Sequence, residues 1–266
     1  MIPSRVTSNS RTQACLTTRS TITSTRRSNT ARSMTTPTTE NSSSTIQVLA
    51  LHGAEGNAQE FQRGLTELAE TAFFAHGVTL DIRAVNAPHP RGDGYAWWTL
   101  PPGVRSKDAK EYQGIQESIE RISQAVHPKD EGGDNKAKEN ASSCPDLVVA
   151  HSQGAILTTA LLATNQWPSH PPPKLGYILN GGAWPNPYTE PLETVQLPSS
   201  CRVLIVTGEA DRINPPEGQV RVQQALADAG ASVTTIQHSG GHGVPTRNVD
   251  AVDQIVDWIV QGLRGT

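Results

Sequence analysis

Two spacings of apolar residues take turns along this chain. Residues 46–51 and 78–85 are dense in Val, Ile, Leu and Ala and read as strands. Between them Phe61, Leu65, Leu68 and Phe73 recur near the helical period, behind Asn57, whose side chain can cap a helix. A stretch rich in Pro, Gly and Trp covers about 86–106 and reads as a loop. Tyr112, Ile115, Ile119 and Ile122 then predict a helix over about 108–126. Residues 127–145 are polar, contain Gly132-Gly133 and show no period, which predicts an exposed insertion. The run 147–150 predicts a buried strand and 155–162 the helix after it. Strands follow at 175–179, 202–207 and 232–237, with a helix near 217–229. A last helix near 249–263 presents Ile255, Val256, Trp258 and Ile259. Strands and helices that alternate in this way build a mostly parallel sheet with helices on both faces.

Composition divides the chain. Residues 1–40 hold six arginines (Arg5, Arg11, Arg19, Arg26, Arg27, Arg32), one acid (Glu40) and many Ser and Thr, for a charge of +5. Against −3 for the whole chain, the remainder stands at −8. An acidic body argues against nucleic acid as a partner, because a phosphate-binding surface needs a basic patch. The head lacks the apolar core of a secretory signal. It reads as an organellar transit peptide or as a disordered extension, which makes the protein mitochondrial or cytoplasmic. The expected organisation is a tail at 1–44 and one domain over 45–266. Cys15, Cys144 and Cys201 show no metal or CxxC spacing and read as unpaired thiols. No apolar run approaches the roughly 20 residues needed to cross a bilayer.

Chemistry concentrates at three places. Ala150-His151-Ser152-Gln153-Gly154 lies where a strand gives way to a helix. A serine with small residues two before and two after it, at that junction, has the form of a nucleophile elbow, since neighbouring backbone crowds so tight a turn. Serine is a poor nucleophile without an adjacent base. His242, in the glycine-flanked segment 239–245, follows the last strand and is the candidate. His238 at a strand end, and His76, His89, His127 and His170 in loops or helix ends, read as packing or surface histidines; His151 belongs to the elbow. The base needs an acid to hold its tautomer. Asp211, beyond the strand end at Thr207-Gly208, is preferred over Glu209. The order Ser152, Asp211, His242 is the one found in α/β-hydrolases. Oxyanion donors are expected from the N–H of Gln153 and from the loop after the first strand, with Ala54 the candidate and His52 beside it. Trp97, Trp98 and Trp184 lie at predicted sheet edges, where they either line an apolar acyl pocket or cover core.

Taken together, these residues resemble the FSH-type serine hydrolases, the α/β-hydrolase group that includes fungal members and the animal ovarian-tumour-suppressor-candidate esterases. The resemblance rests on Leu51-His52-Gly53, the aromatic segment Tyr95 to Trp98, Ser152-Gln153-Gly154-Ala155, Gly181-Gly182, Gly208-Glu209-Ala210-Asp211 and Gly241-His242 with Val244-Pro245. It spans about 45–263 and implies an α/β-hydrolase fold without a large cap domain, no cofactor or metal, and Ser152, Asp211 and His242 as the triad. Ala150 in place of the usual glycine, the segment 127–145 and the N-terminal tail depart from the pattern. The activity implied is hydrolysis of a small-molecule carboxylic ester. Thioester hydrolysis and ligand binding without turnover are the alternatives.

Overall fold

A computed structural model of the chain describes residues 44–127, 144–169 and 171–265. The head at 1–40, most of the polar segment 127–145 and His170 lie outside the described residues. The described residues belong to one compact unit, Asn41–Thr266.

Six strands, β1 (Ser44–Leu51), β2 (Val78–Val85), β5 (Leu147–His151), β6 (Gly176–Asn180), β7 (Arg202–Gly208) and β8 (Ser232–His238), form one sheet in the order β2-β1-β5-β6-β7-β8. Every pairing in it is parallel. Two short strands, β3 (His89–Arg91) and β4 (Gly94–Ala96), make a separate antiparallel hairpin inside the stretch expected as loop. The helices are α1 (Ala58–Gly64), α2 (Thr66–His76), α3 (Ile115–Val126), α4 (Gln153–Ala163), α5 (Thr189–Thr194), α6 (Pro216–Asp228) and α7 (Val249–Gly265). The six-stranded parallel sheet with helices is the α/β architecture expected from the alternation of periods.

Period-2 alternation in the strands sorts the core into two layers. Leu49, Leu51, Val148, Ala150, Leu179 and Ile205 point to one face, where α3, α4, α5 and α6 pack. Val48, Ala50, Val149, Ile178, Leu204 and Val206 point to the other, where α2 and α7 close the core. All of α4 is buried, which fits a helix apolar on every side. No helix among the described residues is long and apolar enough to cross a membrane. Cys144 and Cys201 carry free thiols, and burial pushes Cys201 up to about 11.

Two helix expectations need correction. The pattern from Asn57 to Phe73 is two helices, not one. The chain turns at Leu65 (φ −94°, ψ 4°), which resets the helical phase. Leu65, Leu68 and Ala72 are buried, while Phe73 is 51% exposed and Phe74 80%. The helix expected from about 108 begins at Ile115, because Gly114 stands at φ 80° and a side chain there would strike the His89 ring. Tyr112 therefore lies ahead of the helix, stacked on Trp98 with ring centroids 4.1 Å apart.

Candidate active site

The sheet's carboxyl edge carries the site, as it does in open parallel α/β sheets. β5 ends at His151 and α4 begins at Gln153, so Ser152 alone makes the turn, at φ 52° and ψ −113°. Such a backbone is costly for a non-glycine residue and persists only where its surroundings impose it. Here Ser152 N donates to Asn180 O at 2.9 Å and Ser152 O accepts from Ile156 N at 3.0 Å. Gly154 must be glycine, since a Cβ would lie 2.6 Å from Leu51 O. Ala150 is fully buried and keeps its strand register with Leu51 and Leu179, so its methyl group is accommodated.

From Ser152 a line of hydrogen bonds runs to a buried carboxylate. Ser152 Oγ lies 2.7 Å from His242 Nε2, and His242 Nδ1 lies 2.8 Å from Asp211 Oδ2. With Nδ1–H donating to the carboxylate, Nε2 is left to accept the seryl proton. Asp211 Oδ1 accepts from Ile213 N and Asn214 N, both at 2.9 Å. Three donors thus satisfy a carboxylate side chain that is fully shielded from solvent. The loops bearing acid and base are joined by backbone bonds: Glu209 N to His238 O at 2.8 Å and Ala210 N to Gly240 O at 3.0 Å. Gly208 permits the approach, because a Cβ there would meet Gly241 O at 2.1 Å.

Two backbone N–H groups beside Ser152 have no acceptor among the described residues. Gln153 N is the first amide of α4 and has no intrahelical partner. Ala54 N makes no hydrogen bond among the described residues. The loop carrying Ala54 is shaped by His52, whose Nδ1 donates to Gly53 O at 2.7 Å and whose Nε2 accepts from Ala87 N at 3.1 Å. That pairing requires a neutral ring, and burial lowers the His52 pKa in the same sense. The β3–β4 hairpin docks on the loop through Glu55 N to Tyr95 O and Tyr95 N to Gly56 O, both 2.9 Å.

A second neutral histidine backs the base. His151 stacks on Phe61 (centroids 6.1 Å) and lies tilted against His242 (4.9 Å), and its Nδ1 accepts from Asn180 Nδ2 at 2.9 Å. Burial, with the neighbouring His242 contributing less, pulls its pKa from 6.5 down to about 4. Next to the base, a ring that stays neutral adds no repulsion when the base takes a proton.

The model of the serine hydrolase (FSH1) family matches residues 42–254. The chain belongs to this serine hydrolase family. Crystal structures of three proteins show the same fold. They are a Bacillus cereus carboxylesterase (17% identity, 82% of this chain and 89% of that one, TM-score 0.56), Arabidopsis thaliana SOBER1 (16%, 83% and 100%, 0.56) and a Mesorhizobium loti carboxylesterase (19%, 81% and 88%, 0.54). No curated protein sequence matches the chain.

Of the residues singled out in this serine hydrolase, Ser152, His242, Asp211, Ala54 and Gln153 converge at one point of the sheet edge. Glu209 lies in the same loop as Asp211, but it is Asp211 that accepts the hydrogen bond from His242 Nδ1. The three tryptophans do not line the cleft. Trp97 and Trp98 are 0% exposed in the core, and Trp184, 6% exposed, stacks under the Arg221 guanidinium at 3.6 Å in a separate recess. The reason lies in their hydrogen bonds and stacking. Trp97 Nε1 donates to His52 O at 2.8 Å, Trp97 N to Gln153 Oε1 at 2.8 Å, and Gln153 Nε2 to Trp98 O at 3.1 Å. The aromatic segment therefore braces the two loops that carry the free N–H groups. The cleft walls come instead from Phe61 on one side of Ser152, Leu100 and Ile156 on the other, and Ile213 on both. Phe61 was legible only as a helix-face residue, and nothing local marked Leu100 or Ile213. His238 packs in the core and His76 pairs with Asp257 at 3.5 Å, away from the site. Among the described residues no three His, Cys, Asp or Glu side chains are grouped to hold a metal ion.

Proposed function

We propose that this serine hydrolase cleaves carboxylic esters of small or apolar acyl groups through an acyl-enzyme. The observation that carries the reading is the unbroken line Ser152 Oγ, His242, Asp211, at 2.7 and 2.8 Å. As Oγ attacks the carbonyl carbon, His242 Nε2 takes its proton and the Asp211 carboxylate stabilises the imidazolium. The tetrahedral oxyanion lies against the N–H groups of Gln153 and Ala54, and losing such a donor typically costs on the order of a hundredfold to a thousandfold in rate. His242 then hands the proton to the leaving alcohol. Water, activated by the same imidazole, releases the acid and restores Ser152.

Labelling with a fluorophosphonate probe tests the assignment. Wild type is expected to label and Ser152→Ala to remain unlabelled and inactive on a neutral ethyl ester. Full esterase activity in Ser152→Ala would overturn it. A thioester could follow the same steps, but no feature of the site favours sulfur over oxygen. Matched oxygen and sulfur esters of one acyl chain separate the two. The arginine-rich segment at 1–40 keeps its reading as an organellar address or an extension, and its removal from a reporter fusion tests whether it sets location.

A further inference from the structure

Ser152 sits between two recesses of opposite charge. Ala54, Ser152 and Ile213 line both, so a single cleft crosses the nucleophile. On one side, in about 480 Å³, His242 forms part of the wall and the ionised side chains are Glu55 and Glu60. On the other, in about 320 Å³, the wall holds Arg91, Arg105, Lys107 and Arg212 and no acid. Arg91 is paired with Glu55 at 3.1 Å. Arg105, Lys107 and Arg212 have no carboxylate within ion-pair distance among the described residues. Beyond residue 40 the sequence carries a net charge of −8, so a recess ringed only by cations does not follow from composition.

The position of the general acid decides which half of an ester enters that recess. His242 must reach the leaving oxygen to protonate it. It lines the first recess and not the second, so the alcohol departs past His242 and the acyl chain lies in the second, beyond Gln153. The near wall there, Ile156 and Leu100, is apolar and suits a short methylene stem.

We propose that the acyl half of the substrate ends in an anion, a carboxylate in its simplest form, held by Arg105, Lys107 and Arg212. The substrate class is then the monoester of a short dicarboxylic acid. Its hydrolysis breaks one acyl–oxygen bond, and water supplies hydroxyl to the acyl carbon and a proton to the alcohol. This inference rests on the esterase reading above. The cations are exposed at the rim, where single ion pairs are weak and screened by salt, so the preference they confer together is about tenfold.

The test compares monoethyl esters of glutaric and adipic acid with ethyl pentanoate and ethyl hexanoate, following acid release. At low ionic strength the monoesters are expected to show kcat/KM about tenfold higher, mainly through KM, with the gap narrowing in about 0.5 M salt. In the triple variant Arg105→Gln, Lys107→Gln, Arg212→Gln the ratio of monoester to neutral ester should fall to about one, and glutamate at the same positions should invert it. Fluorophosphonate labelling of Ser152 in every protein reports that the site is folded and reactive. Labelled wild type with equal or better turnover of the neutral esters would overturn the anionic subsite and leave the esterase reading standing. Wild type that takes no label would overturn both.

Discussion

Asp211 and His242 reach Ser152 from loops after β7 and β8, adjacent strands whose loops are joined by Ala210 N to Gly240 O and Glu209 N to His238 O. Ala54 and Gln153 are held differently. Their loops meet through the Trp97 and Gln153 side chains, with bonds spanning 45 and 56 residues of sequence. The acid–base half is positioned by backbone, which tolerates most side-chain changes except a loss of glycine. The Ala54 and Gln153 half depends on buried side-chain hydrogen bonds in addition to the backbone pairing of the hairpin with the Ala54 loop, so single substitutions there should loosen geometry and stability together.

The largest effect expected on the acid–base half is from Asp211→Asn, which keeps the shape but disfavours the required His242 tautomer. By analogy with other triads, kcat should fall on the order of 10⁴-fold with little change in KM. A fall below tenfold would show that the Asp211 contact is not what orients the base. Next comes Gly208→Ala. Its Cβ would meet Gly241 O at 2.1 Å, so the His242 loop must move, and a stability loss of about 1–3 kcal/mol with reduced fluorophosphonate labelling is expected.

Gln153→Leu probes the other half. It leaves Trp97 N and Trp98 O buried without their partners, and urea denaturation should report a loss of about 1–3 kcal/mol. Activity should fall with it, by about tenfold in kcat, because misplacing the oxyanion donors weakens binding of the transition state. Lost stability with unchanged kcat would mean that the brace supports the fold and not the oxyanion site.

The smallest effect is a pH dependence of stability. His151 is held at about 4 against its ordinary 6.5. Between those values the unfolded chain binds the proton that the folded one refuses, so stability is complete above 6.5 and declines as pH falls towards 4. The lowered His52 acts in the same direction. His151→Gln should flatten part of that decline, as read by denaturation midpoints across the acid range. An unchanged slope would place the acid sensitivity elsewhere.

Much of this molecule was written in local pattern. Parallel strands buried on both faces need runs of Val, Ile and Leu, so β1, β5 and β7 stood out. The elbow was legible because its tight turn admits only small residues two before and two after Ser152, and the order of acid and base could be read directly. Helix boundaries were less legible. Leu65 and Gly114 end or delay helices through backbone geometry that apolar spacing does not encode.

The tryptophans show where sequence stops being enough. An indole offers an apolar body and one N–H donor, which suit a pocket wall or a buried brace equally well. Only the packing of the β3–β4 hairpin against the His52 loop decided for the brace at Trp97. The same holds for charge. Sequence by itself determined an acidic domain, a parallel sheet and the order of the candidate serine, acid and base, because each follows from neighbouring residues or their order. The tertiary structure alone brought Arg91, Arg105, Lys107 and Arg212 around one recess, since electrostatic neighbours are set by distance in space and not by separation along the chain.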